Sequence, residues 1–196
     1  MDSKIDRCAK SRKTATLKDK RPNIIRLIIL VFIPLSLFLC PSCKQNEWAD
    51  WKLQNKLWLE NNKHQEGVRT TSTGLQFKII EDPGKENNEP VPNTTSTIVC
   101  DYSVKLINGC YIQKDVKGQP INLANYIPGF AEGCHKIHNH GDIELFIPAY
   151  LGYDYSYYES GKYGKAKGSG TEGTSGYIPP YSTLIYTIHI CSVSGN

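Results

Sequence analysis

The 196-residue chain lacks the patterns on which most covalent and metal chemistry rests. It has no nucleophile triad, phosphate-cradling loop or paired-carboxylate pattern, which argues against hydrolase and kinase activity. His135, His138 and His140 stand close together without a Cys-x-x-Cys or His-Glu-x-x-His context, although His135 and His138 are spaced to share a helix face. Solvated histidines at a helix end are the simpler reading, so no metal ligands and no cofactor are expected. Basic charge is scarce outside the leader. Residues 1–26 hold nine Lys/Arg and three Asp/Glu, which leaves 14 basic and 16 acidic residues for the remainder. The net +4 therefore belongs to the first residues, and the rest has no electrostatic case for binding nucleic acid. Long hydrophobic runs are missing too. Residues 27–39, LIILVFIPLSLFL, form an uncharged run of 13, short of the roughly 20 a membrane-spanning helix needs.

That short run, placed after nine cations, fits the apolar core of an export signal better than it fits a buried core helix. The single methionine, Met1, leaves no internal start to shorten the basic prelude. The run ends in CPSCKQ, where Cys43 follows the small residue Ser42 and resembles the lipid-acceptor cysteine of bacterial lipoproteins. Cys40 occupies the position where such signals usually carry Leu. The expectation is a leader and signal segment over residues 1–43, with lipidation at Cys43 and attachment to a cell-envelope membrane. An uncleaved anchor is the alternative. Several acyl chains would hold the protein stably where one binds only marginally.

Residues 44–66 are expected to form a helical linker. Within 47–63, Trp51, Leu53, Leu57 and Trp58 have helical spacing near one face, as suits a helix packed on a domain, a stalk or a dimerisation segment. Glu66-Gly67-Val68 ends it, and a turn-rich junction follows at residues 70–74.

From Leu75 the apolar period falls to two. Residues 75–79, 97–106, 143–147 and 184–190 alternate as half-buried strands do, and Asn108-Gly109 is a strong hairpin signal. With four or five short strands, one short helix near Phe130 and no βαβ rhythm, residues 67–196 are expected to be an α+β domain: an antiparallel sheet curled over one helix. Residues 154–176 are rich in Gly, Ser, Tyr and Lys without apolar period and suggest an inserted loop. Setting aside Cys8, Cys40 and Cys43, the domain keeps Cys100, Cys110, Cys134 and Cys191. These could pair as two disulfides in three ways, or serve as small core residues.

Two blocks carry a resemblance to a known family. Residues 125–133 read NYIPGFAEG and residues 176–186 read GYIPPYSTLIY; both resemble signature blocks of the FKBP-type peptidyl-prolyl isomerases, over roughly residues 67–193. The resemblance implies an FKBP-like sheet around one helix and a pocket for X-Pro segments. It implies that Tyr102 is the pocket tyrosine, that the backbone N–H of Ile127 anchors a ligand carbonyl, and that Phe130 forms the floor. It implies further that the Tyr153 hydroxyl reaches the bound carbonyl, that Tyr186 is the aromatic of the last strand, and that Tyr126, Tyr177 and Ile178 line the site. Ile112-Gln113 stands where the family has Phe-Asp, so an apolar wall survives and a carboxylate is lost. Asp154 stands where the family has Gly. In some members a helical arm before a similar junction dimerises, and in the family the connection matching residues 154–176 is shorter and overhangs the pocket.

The chemistry implied needs no nucleophile. Rotation about an X-Pro amide meets a barrier of about 18–20 kcal/mol because planarity carries the resonance. A catalyst need only bind the twisted amide better than either planar form. The expected function is isomerisation of X-Pro bonds in exported polypeptides, with turnover weakened by the loss of the carboxylate. The alternative is an FKBP-like binding module with little or no catalysis.

Overall fold

A computed structural model describes residues 48–155, 168–172 and 174–195. Cys43, the leader and most of the 154–176 insertion lie outside the described residues. Strands β1 (Arg69–Thr70), β2 (Gln76–Glu81), β3 (Thr97–Leu106), β4 (Tyr111–Asn122), β5 (Asp142–Ile147) and β6 (Leu184–Ser194) form one antiparallel sheet in the order β1-β2-β5-β6-β3-β4. The helices are α1 (Ala49–Asn62), the one-turn α2 (Pro83–Glu86) and α3 (Pro128–Cys134).

The strands arise where apolar residues alternate. In β3 every second residue, from Ile98 to Leu106, is buried while its neighbours are half-exposed. One face therefore covers a core that includes Cys100, Tyr102, Leu145, Tyr186 and Ile188. β4 has no such pattern. It is an edge strand, largely exposed, with register shifts against β3 and with Pro120, which an edge tolerates because no ladder bond is needed on its open side. That is why the sequence pattern yields fewer than the six strands present. The hairpin before β4 forms at Asn108-Gly109, with Gly109 at φ +82 and its N–H donating to the Leu106 carbonyl at 2.9 Å.

Helix α3 starts at Pro128, whose missing N–H would have no intrahelical partner in the first turn. Its Gly129 and Gly133 face β5: a Cβ at either would collide with Ile147 or Leu145. These glycines let the helix lie close enough to the sheet to seal Phe130, which is fully buried.

Of the expected linker, residues 48–66 are described, and they are not free of the domain. The compact unit begins at Trp48, and α1 packs on the domain. Its packed stripe is Trp51, Asn55, Trp58 and Asn62, spaced at i, i+4, i+7 and i+11. The Trp58 and Phe146 ring centroids lie 5.7 Å apart, and the Asn62 amide donates to Gln76 Oε1 at 2.9 Å. Leu53 and Leu57 are 54% and 53% exposed, so the four apolar residues expected on one face divide between two. The stripe is specified by two buried asparagines that a hydrophobic pattern does not register.

Cys100, Cys134 and Cys191 are free, so the four domain cysteines form no pair among themselves. Cys110 is disulfide-bonded. Cys100 and Cys134 are buried and act as small core residues. The three histidines also go separate ways. His138 Nδ1 lies 3.0 Å from Asp82 Oδ2 and His140 Nε2 lies 3.0 Å from the Asn139 amide. Among the described residues no group of three or more His, Cys, Asp or Glu side chains could hold a metal ion, and no helix is long and apolar enough to cross a membrane.

Candidate active site

The site lies where β3, β6 and α3 meet. Alternation on β3 turns Tyr102 inward, alternation on β6 does the same for Tyr186, and α3 brings Phe130 beneath both. The Phe130 ring packs edge-on against Tyr126 at 4.6 Å and against Tyr186 at 5.2 Å, and Tyr186 lies 5.9 Å from Tyr102. Aromatic pairs at such separations and tilts are favourable beyond the area they bury. Phe130 is fully buried, so it supports the floor from below.

A cavity of about 320 Å³ opens above this cluster, lined by Val104, Ile112, Gln113, Tyr153, Ile178 and Tyr186 together with Ser169, Ser175 and Gly176. A second hollow of about 380 Å³ adjoins it through Gln113 and is lined by Tyr102, Tyr126, Gln119 and Asn122 among others. Tyr102 donates its hydroxyl to Gln113 Oε1 at 2.8 Å, so the glutamine occupies the acceptor role left by the missing carboxylate, without its charge. The Tyr126 and Tyr186 hydroxyls are 3.5 Å apart. Burial raises the phenols of Tyr102, Tyr126 and Tyr186 above the usual tyrosine value, so all three remain neutral O–H groups at physiological pH.

Ile127 caps α3. Its carbonyl accepts from the Phe130 and Ala131 N–H groups at 3.1 and 3.2 Å, while its own N–H donates to none of the described residues. The chain thus presents a spare backbone donor next to the aromatic floor, available to a ligand carbonyl. Ile127 packs against the core but lines neither hollow.

Nine of the ten expected pocket residues gather here as lining, floor or flank. Tyr177 does not. Its ring lies 6.4 Å from Trp48, outside both linings. Val104 and the serines of the returning loop were not anticipated. Val104 is legible as an inward residue of β3, two after Tyr102, whereas Ser169 and Ser175 sit in a segment without any pattern.

The role of Asp154 was also invisible. Its carboxylate is 3% exposed and accepts from the Gly168 N–H at 2.8 Å and the Tyr181 N–H at 2.7 Å. It ties both ends of the returning loop to the wall that carries Ile178. Gly168 has φ +62, and a Cβ there would run into the Ile178 carbonyl and Pro179. Only glycine lets the loop come in this close. Ser169 and Ile178 then exchange two backbone bonds of 2.8 Å.

Comparison with known proteins agrees with this geometry. The model of the FKBP-type peptidyl-prolyl cis-trans isomerase family matches residues 89–191. Over 152 residues the chain is 32% identical to the FKBP-type peptidyl-prolyl cis-trans isomerase FkpA of Escherichia coli (strain K12), a stretch covering 76% of this chain and 48% of that protein. It is 28% identical over 145 residues to the outer membrane protein MIP of Legionella longbeachae, covering 72% of this chain and 54% of that one. The crystal structure of FkpA from Escherichia coli superposes with a TM-score of 0.60 at 27% identity, covering 90% of this chain and 75% of that one. The chain spans about half the length of the curated relatives it matches. With the family's stretch matched over more than half its length and an antiparallel sheet packed against one short helix beneath an aromatic cavity, the chain belongs to the FKBP-type peptidyl-prolyl cis-trans isomerase family.

Proposed function

We infer that this chain is a peptidyl-prolyl cis–trans isomerase acting on X-Pro segments of exported polypeptides. The cis and trans isomers differ by only about 0.5–1 kcal/mol, so the work lies in the barrier. The twisted amide has lost its conjugation and is less dipolar than the planar forms, so a neutral, aromatic-walled cavity favours it. Phe130 and Tyr186 supply the floor, with Tyr102, Tyr126, Ile112 and Ile178 around it. The Ile127 N–H holds a neighbouring carbonyl still while the prolyl side turns, and the Tyr153 hydroxyl at the mouth is a second donor to it. Gln113 keeps the Tyr102 hydroxyl in place. No bond is made or broken, so the cycle is complete without a cofactor.

The observation that carries this reading is the 320 Å³ cavity above the Tyr126–Phe130–Tyr186 stack, with the unspent Ile127 N–H at the start of the helix that carries Phe130. Proline-limited refolding of a substrate protein by the full chain tests it. Acceleration at substoichiometric amounts is expected. Binding of an X-Pro peptide without acceleration would instead make the chain a binding module.

The envelope location belongs to the same reading. It is supported by the charge-then-apolar order of residues 1–39, by Ser42-Cys43 and by similarity to an outer membrane protein. Membrane recovery of labelled fatty acid on the chain, lost in Cys43→Ser, is the expected result. Recovery undiminished in Cys43→Ser overturns the anchor and leaves the isomerase reading untouched.

A further inference from the structure

The segment carrying Ile178 into β6 is Tyr177-Ile178-Pro179-Pro180-Tyr181-Ser182-Thr183, and its backbone is difficult to hold. Two prolines remove two N–H groups, and Tyr181 has φ +66, a conformation in which a bulky residue is strained. Such a conformation persists only where the surroundings over-determine it. Three side chains from elsewhere do so. Asp154 Oδ2 accepts from the Tyr181 N–H at 2.7 Å. Asn55 Oδ1 accepts from the Thr183 N–H at 2.7 Å, in a fully buried contact. Trp51 donates its indole N–H to Ser182 Oγ at 3.0 Å, and that hydroxyl donates to the Pro179 carbonyl at 2.6 Å. Lys52 adds its ammonium 4.7 Å above the Tyr181 ring.

Two of the three tethers come from α1, which precedes the family-matched stretch of residues 89–191. The third, Asp154, stands where the resembling family has glycine. We propose that Trp51, Asn55 and Asp154 are positioning residues for the isomerase: they hold the strained Pro-Pro turn so that Ile178 walls the cavity, making α1 a working part of the substrate site. Resting on the isomerase reading, this inference assigns to the N-terminal helix a role in substrate affinity. None of the three touches the turning amide, so each acts through Ile178.

The test is steady-state isomerisation of an X-Pro peptide by the full chain, with KM and kcat separated, alongside the urea midpoint. Asp154→Ala is expected to raise KM about tenfold with kcat within about twofold of the parent, because ground and transition states lose the same wall contact. Asp154→Asn, which keeps one acceptor oxygen, is expected to raise KM about threefold, as is Trp51→Phe, which keeps the ring and loses the indole N–H. Leu57→Ser, on the exposed face of α1, leaves KM unchanged. A merely structural role would lower the urea midpoint without moving KM in the folded variants, and that result overturns the proposal. If Asp154→Ala does not fold, the two milder variants decide. If the parent itself shows no acceleration, the isomerase reading fails separately and dissociation constants for the same peptide replace KM. Weaker binding in the variants then upholds the positioning role, and unchanged binding overturns it.

Discussion

The floor and the wall of the cavity are built on opposite principles. The floor consists of Phe130 on a helix, Tyr186 and Tyr102 on two sheet strands and Tyr126 just before the helix, packed ring against ring. Many small contacts hold it, and no single one is decisive. The wall is a Pro-Pro turn held by a few polar bonds from residues 51, 55 and 154. Each bond is irreplaceable, because a donor left buried without a partner costs more than a bond gains. A binding site can therefore have one half secured by packed bulk and a brittle half secured by single bonds, with the brittle one depending on parts of the chain far away in sequence.

Perturbing each half separately sharpens this contrast. The largest expected effect is on the floor: Phe130→Ala should cost about 3–5 kcal/mol of stability, because a large ring is removed from a fully buried position. Urea unfolding measures it, and a loss under about 1 kcal/mol would mean that the floor collapses to fill the gap. On the wall, Asn55→Leu leaves the buried Thr183 N–H unpaired and should cost about 1–3 kcal/mol despite nearly conserved volume. If it costs nothing, the wall is not brittle.

Alkaline pH should act through the core around the floor. Burial pushes the Cys100 thiol up to about 12 and holds Cys134 well above its usual value. In the unfolded chain both ionise near about 8.5, so the unfolded state sheds protons first. Stability is then full below about pH 8.5 and falls as pH rises above it. Urea midpoints from pH 7 to 10 should trace this slope, and Cys134→Ala should reduce it. The smallest effect lies where floor meets wall. Gln113→Asp gives the Tyr102 hydroxyl a charged acceptor and should raise turnover about three- to fivefold, since charge-assisted bonds are roughly twice as strong. Unchanged turnover would show that Tyr102 needs only an acceptor.

The same contrast explains what could be read in the sequence. The floor was legible because burial leaves a periodic trace: Tyr102 and Val104 alternate on β3, and Phe130 follows a Pro-Gly helix start. The edge strand β4 left none, since an exposed strand need not alternate. The wall was legible only as anomalies. Asp154 stood out as a carboxylate in place of glycine, but its partners, Gly168 and Tyr181, lie 14 and 27 residues away. Asn55 resembled an ordinary polar residue of an amphipathic helix, and its bond to Thr183 spans 128 residues. Tyr177 matched its motif position but packs beside Trp48, a contact that needs α1 folded onto the domain.

The paired anchorage of Asp154 and the tight fit at Gly168 have a practical corollary. Gly168 is held by its N–H bond to that carboxylate, 2.8 Å long, 14 residues further along the chain. Lengthening a closed loop is entropically cheap. Foreign sequence, such as an epitope or a client-recruiting module, inserted between Tyr155 and Gly168 is therefore expected to leave the Asp154 clamp and the Ile178 wall in place.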